Sequence, residues 1–91
     1  MYCKGQSKGT VNFSLRPAKQ AGRVAVAGDF NGWKPTVMRK QKDGAFVASV
    51  AVRPGRFEYK YLVDGEWVHD PDVPAMALNC YGTVNSVLVV D

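Results

Sequence analysis

The sequence predicts an all-β fold, a small sandwich or barrel of short antiparallel strands, and three observations carry that expectation. Apolar residues recur with period two, as they do on strands with one buried face. Nine glycines and five prolines are scattered along the 91 residues, so turns come often. Nowhere do apolar residues repeat at i, i+3, i+4 and i+7 between helix caps. Many short strands separated by Gly, Pro and Asp turns, without helices, fold as sandwiches or small barrels.

Taken in order, Val11, Phe13 and Leu15 alternate with Asn12 and Ser14 until Arg16-Pro17 ends the first run. Val24 and Val26, with the small Ala25 and Ala27 between them, lead through Gly28 to Phe30. Asn31-Gly32 follows, a pair that readily takes the positive φ of a tight turn. Phe46, Ala48, Val50 and Val52 share a face of the next strand, entered from Asp43-Gly44 and closed by Pro54-Gly55. Phe57, Tyr59, Tyr61 and Val63 line one face of another. Val87 to Val90 is continuously apolar, the pattern of a strand covered on both faces. Residues 70–85, with Pro71, Pro74 and Gly82, show no clean periodicity. Ordered loops of that length tend to carry function, and a plain crossover between sheets is the alternative.

The length suits one domain with a modest core. Residues 1–9 are expected to form a flexible tail and residues 10–91 the folded domain. A composition of 46% hydrophobic and 22% charged residues is that of a globular chain. No segment approaches the roughly 20 apolar residues that cross a bilayer. The start, MYCKGQSKG, lacks the apolar core of a signal peptide, so the expected location is the cytoplasm. In that reducing compartment Cys3 and Cys80 are expected to stay unpaired. Neither has the neighbours of a catalytic thiol or a zinc site. The net charge of +4 comes from 12 Lys and Arg against 8 Asp and Glu. Since no Lys/Arg run exceeds two residues, it reads as a solvated surface, and neither nucleic acid nor a membrane is an expected partner.

Residues 57–71, FEYKYLVDGEWVHDP, are the most informative stretch. Asp64-Gly65 between two alternating runs signals a two-residue hairpin. That turn sets Val63 opposite Glu66, Leu62 opposite Trp67, Tyr61 opposite Val68 and Lys60 opposite His69. Side chains alternate between faces, so Phe57, Tyr59, Tyr61, Val63 and Val68 form the core face. Glu58, Lys60, Leu62, Trp67 and His69 share the other. An indole among Glu, Lys and His stands on the polar side of the sheet. There it can stack on the apolar face of a pyranose, with Lys60 and His69 serving the rim hydroxyls. Alternatively, it covers outer sheet surface or packs under residues 70–85. Trp33, just past the Asn31-Gly32 turn, is either an interface anchor or a plug over one end of the core.

Catalysis has little support. The single histidine, His69, has no serine in a nucleophile-elbow motif to act on. Asp64, Glu66, Asp70 and Asp72 do not form a carboxylate pair flanking a cleft, and 91 residues leave little room for one. Calcium at Asp70 and Asp72 lacks the necessary ligand density. No Gly-rich loop precedes a helix to hold phosphates. The expectation is a non-enzyme with no cofactor and no metal.

VAGDFNGW at 26–33, FEYKYLVDGEWVHDP at 57–71 and YGTVNSVLVV at 81–90 occur in that order. The ordered set resembles the glycogen-binding domain of the AMP-activated protein kinase β subunit. That domain belongs to carbohydrate-binding module family 48, which also includes the early-set domains of branching and debranching enzymes. The resemblance spans about residues 10–90. It implies an immunoglobulin-like antiparallel sandwich that reversibly binds α-1,4-glucan such as glycogen, starch or malto-oligosaccharide. On the matching positions it implies that Trp33 and Trp67 stack on glucose rings, and that Lys60, Thr83 and Asn85 bond hydroxyls. Tyr81 stands where the family places a bulky loop residue against the sugar, usually an aliphatic one in the kinase subunit. The further partner it implies is a glycogen-metabolising enzyme or a kinase. Kinase-subunit identity is not implied, and a standalone binder or a domain of a larger protein fits equally well. An early-set module that uses the aromatic face for a protein partner is the alternative function.

Overall fold

A computed structural model describes residues 2–4, 9–17, 21–71, 73, 76–78 and 84–90. The elements are β1 (Tyr2–Lys4), β2 (Thr10–Leu15), β3 (Val24–Gly28), a 3-10 turn (Asp29–Asn31), β4 (Thr36–Val37), β5 (Arg39–Lys40), β6 (Phe46–Ala51), β7 (Gly55–Val63), β8 (Glu66–Val68), β9 (Met76–Leu78) and β10 (Val84–Val90). They form a four-stranded sheet in the order β1-β2-β6-β5 and a six-stranded sheet in the order β4-β3-β7-β10-β9, with β8 paired to β7. Every pairing is antiparallel. No helix is long and apolar enough to cross a membrane among the described residues.

Period-two patterning explains how the sheets face each other. From β2 come Val11, Phe13 and Leu15, from β3 Val24 and Val26, and from β7 Phe57, Tyr59 and Tyr61, all in one buried cluster with Phe46 and Leu88. Phe13 of one sheet meets Tyr59 of the other edge to face, with ring centroids 5.4 Å apart. Burial of each such large side chain contributes about 2 kcal/mol, so this seam holds the sandwich together.

The expected hairpin forms with the expected register: Val63 pairs with Glu66, Leu62 with Trp67 and Tyr61 with Val68. Asp64 and Gly65 take φ of 48° and 88°, the left-handed pair such a turn requires. The ladder stops at Val68, so the Lys60–His69 pairing lies beyond it.

Other expectations need revision. Tyr2–Lys4 pairs with Val11–Phe13 where a tail was expected, and the Tyr2 ring packs edge-on against Tyr59 at 6.1 Å. A three-residue strand beside a glycine-containing polar segment gives too short a pattern to read in sequence. Val87 and Leu88 are buried as expected, but Val89 is 57% exposed, so β10 is not covered on both faces along its length. Its pairing with β9 reaches only Val84 to Ser86. β9 itself lies in the stretch without periodicity, and β4 and β5 are two-residue edge pieces.

Candidate functional site

The outer face of the six-stranded sheet gathers the polar and aromatic residues. Ala25 pairs with Leu62 and Ala27 with Lys60, Leu62 with Trp67, and Glu58 with Val87. Directly paired residues point the same way, so Ala25, Ala27, Glu58, Lys60, Leu62, Trp67 and Val87 share this face, with Asn85 two residues from Val87. Ala25 and Ala27 are almost fully covered, at 3% and 0% exposure, although they face outward. Trp67 is 49% exposed.

Trp33 reaches the same region by a different route. After β3 the chain makes the 3-10 turn, and Gly32 and Trp33 both take left-handed φ, 66° and 63°. For a tryptophan that conformation costs about 1–2 kcal/mol. Several bonds hold the loop in place. The Trp33 N–H donates to the Gly28 carbonyl at 2.9 Å. Asn31 Oδ1 accepts from the Gly28 N–H at 2.9 Å, and Asn31 Nδ2 lies 3.2 Å from Thr36 Oγ1. Gly28 itself is needed for close approach. A Cβ there would sit 2.6 Å from the Glu58 carbonyl oxygen and 2.7 Å from Tyr59 Cβ, too near for any side chain.

The result brings the two indoles together, with ring centroids 6.2 Å apart and planes inclined by 70°. Trp33 Nε1–H donates to Asp29 Oδ1 at 2.9 Å, and Asp29 Oδ2 accepts from the Glu58 N–H at 3.0 Å. Lys60 stands on the same face, half-buried. Asn85 is buried, and its Nδ2 donates to Glu58 Oε1 at 3.1 Å. Glu58 also lies 3.8 Å from the Arg56 guanidinium. Tyr81 and Thr83 lie outside the described residues, as do Cys80 and Asp72. Cys3 is an exposed free thiol on β1.

Sequence reasoning missed two carboxylates. Asp29 was not singled out, because its partners are a loop tryptophan and a backbone N–H 29 residues away. Asp70, grouped in the sequence only with Asp64, Glu66 and Asp72 as carboxylates that flank no cleft, is 0% exposed. Its Oδ2 accepts from the Tyr59 hydroxyl at 2.8 Å and lies 3.1 Å from the Tyr61 hydroxyl, and its N–H donates to Ser86 Oγ at 2.6 Å. The signal was available: two tyrosines on a core face need buried acceptors for their hydroxyls. Burial, and then Tyr61 and Asp70, hold the Tyr59 phenol protonated far above the usual tyrosine range. Among the described residues no cluster of three or more His, Cys, Asp or Glu side chains is placed to hold a metal ion.

A groove of about 620 Å³ lies elsewhere, lined by Asn12, Ser14, Arg39, Gln41, Val47 and Ser49 among others, and it includes neither tryptophan. With Trp67 49% exposed and Trp33 partly exposed, the indole pair presents open surface. Such a surface suits stacking and hydroxyl hydrogen bonds to an extended ligand better than enclosure of a small one.

Comparison with known proteins shows the family and the fold. Residues 11–91 match the family described as the glycogen recognition site of AMP-activated protein kinase. The mouse (Mus musculus) 5'-AMP-activated protein kinase subunit beta-2 is 33% identical over 88 residues, covering 85% of this chain and 32% of that protein. The pig (Sus scrofa) subunit beta-1 is 37% identical over 67 residues, covering 74% of this chain and 53% of that protein. This chain thus spans about a third to a half of the length of these relatives. Among solved structures, a maltogenic amylase from S. marinus superposes with a TM-score of 0.75 at 23% identity, over 90% of this chain and 13% of the amylase. That likeness shows the fold, an immunoglobulin-like sandwich.

Proposed function

The chain belongs to the glycogen-recognition family of AMP-activated protein kinase, and on that premise we propose that it binds α-1,4-glucan reversibly without acting on it. The observation that carries this reading is the indole pair, 6.2 Å apart and inclined by 70°. An edge-to-face pair leaves each ring a face that its partner does not use. Two faces set at an angle suit a chain that curves, as α-1,4-linked glucose does, rather than a flat β-1,4 ribbon. Trp33 and Trp67 stack on successive sugar rings. Lys60, Thr83 and Asn85 bond hydroxyls, and Tyr81 closes the loop side of the platform.

Each stack adds about 1 kcal/mol beyond area burial, which sets single-site affinity in the micromolar range or weaker. Glycogen and starch repeat the same epitope many times, so several copies held together bind far more tightly. The module serves a glycogen-metabolising enzyme or a kinase in the cytoplasm. The kinase-subunit relatives support that partner class, and the exposed thiol of Cys3 suits a reducing compartment.

Calorimetry with maltoheptaose and with cellohexaose tests the proposal. The expected result is binding of maltoheptaose alone, abolished in the Trp33→Ala, Trp67→Ala double variant. Equal binding of both sugars, or full binding by the double variant, overturns it.

A further inference from the structure

We infer that Asp29 is a positioning residue of the glucan platform, fixing the Trp33 indole in its stacking pose before any sugar arrives. The inference rests on the glucan reading and adds to it a residue that touches no sugar.

Both carboxylate oxygens are engaged, and they link two different elements. Oδ1 takes the indole N–H of Trp33 at 2.9 Å, while Oδ2 takes the Glu58 N–H at 3.0 Å. Glu58 lies on β7, two residues before Lys60 and directly opposite Val87 of β10. Asp29 therefore clamps a loop side chain to the strand that carries the platform's lysine. The clamp is needed because Trp33 has no strand ladder to hold it. Its backbone sits in the left-handed region, which a tryptophan left to itself rarely adopts. An indole on such a backbone, free to turn about two side-chain bonds, would sample many orientations. A hydrogen bond to a charged acceptor is stronger than a neutral one and fixes the ring's direction as well as its distance.

Two consequences follow. With its N–H committed to Asp29, the Trp33 indole offers a sugar its face, and its contribution to binding is stacking. The ring is also ordered in the free protein, so ligand binding does not have to order it, and affinity rises by that saving. Asp29 is exposed and its carboxylate lies outside the apolar core, so its removal is expected to change affinity more than folding.

The test uses the native chain, Asp29→Ala and Asp29→Asn, with two measurements. NMR hydrogen exchange at the two indole N–H groups reads the anchor without any ligand. Calorimetry with maltoheptaose reads its consequence. Asp29→Ala is expected to speed exchange at Trp33 about tenfold while leaving Trp67 unchanged, and to weaken maltoheptaose binding by about five- to tenfold. Asp29→Asn, whose one oxygen can serve only one of the two donors at full strength, is expected to fall between. Thermal melting is expected to show all three chains folded at 25 °C. If Asp29→Ala fails to fold, Asp29→Asn supplies the same comparison. Unchanged Trp33 exchange in the variants overturns the anchor. Faster exchange with unchanged affinity overturns the positioning role. A native chain that ignores maltoheptaose overturns the glucan reading instead, while its exchange rates still decide the anchor.

Discussion

Asp29 and Asp70 are both carboxylates that accept hydrogen bonds from aromatic side chains, yet Asp29 stands at the surface and Asp70 is completely enclosed. Each serves one arm of the indole pair. Asp29 bonds the Trp33 ring itself, whereas Asp70 sits three residues beyond Trp67, where it ties the chain leaving β8 to Tyr59, Tyr61 and Ser86. The difference is one of depth. A carboxylate in water competes with solvent for its donors, so its value lies in where it points the ring. A buried carboxylate has no solvent to fall back on, and neither do the hydroxyls aimed at it. The surface residue should therefore govern affinity and the core residue stability.

The largest effect that bears on this division is expected at Asp70. Asp70→Ala strips the carboxylate acceptor from two buried phenols, leaving the Tyr61 hydroxyl to the Ser14 carbonyl 3.3 Å away and the Tyr59 hydroxyl without its Asp70 partner. The expected loss is about 3 kcal/mol or more in urea unfolding, a large share of the stability of a domain this small. Calorimetry under conditions where the variant is still folded is expected to give maltoheptaose affinity within about twofold of native. A folded Asp70→Ala chain that binds as weakly as Asp29→Ala would break the division, because it would show that the core network also sets the pose of the rings.

Alkaline pH probes the same network from the other partner. The Tyr59 phenol keeps its proton in the folded chain far above the ordinary value near 10, chiefly because it is buried. Above that pH the unfolded chain releases this proton and the folded chain does not, so the folded state binds more protons. Stability is then fully present below pH 10 and falls as pH rises, by about 1.4 kcal/mol per pH unit for this one group. Tyr59→Phe is expected to remove that part of the slope between pH 10 and 12 while costing about 1 kcal/mol at neutral pH. An unchanged slope would mean that Tyr59 is not what makes the fold sensitive to alkali.

The two arms also differ in how far the sequence disclosed them. Trp67 was legible because Asp64-Gly65 fixes a hairpin register, and register with alternation fixes the face of every residue from Phe57 to Val68. Trp33 was not, because a residue beyond a turn has no ladder to place it. Its position depends on the close approach at Gly28, on the Asn31 side chain and on Asp29, contacts that period-two patterning cannot express. The ordered family motifs pointed to Trp33 where local physics left it open. The short strands β1, β4, β5 and β9 escaped for a simpler reason: two or three residues do not make a pattern. Asp70 escaped because a proline follows it in a segment without alternation, which hides burial even when the tyrosines on β7 demand an acceptor.

Asp64 sharpens the comparison with the smallest expected effect. It is exposed like Asp29 and lies three residues before Trp67, as Asp70 lies three after it, but its carboxylate serves the backbone and no aromatic ring. Oδ1 accepts from the Gly22 N–H at 3.0 Å and the Arg23 N–H at 2.8 Å, and the Asp64 N–H donates to the Arg23 carbonyl at 2.9 Å. Its φ of 48° suits Asp, Asn or Gly and strains most other residues. Asp64→Gly keeps the turn conformation and removes only the carboxylate, so it is expected to cost about 0.5–1 kcal/mol in urea unfolding. Asp64→Ala adds the left-handed strain and is expected to cost about 1 kcal/mol more. Both should bind maltoheptaose within about twofold of native, because neither frees an indole. A fivefold loss in Asp64→Gly would show that affinity follows the pose of the whole hairpin, and that an exposed carboxylate matters here for the backbone it ties rather than for the ring it touches.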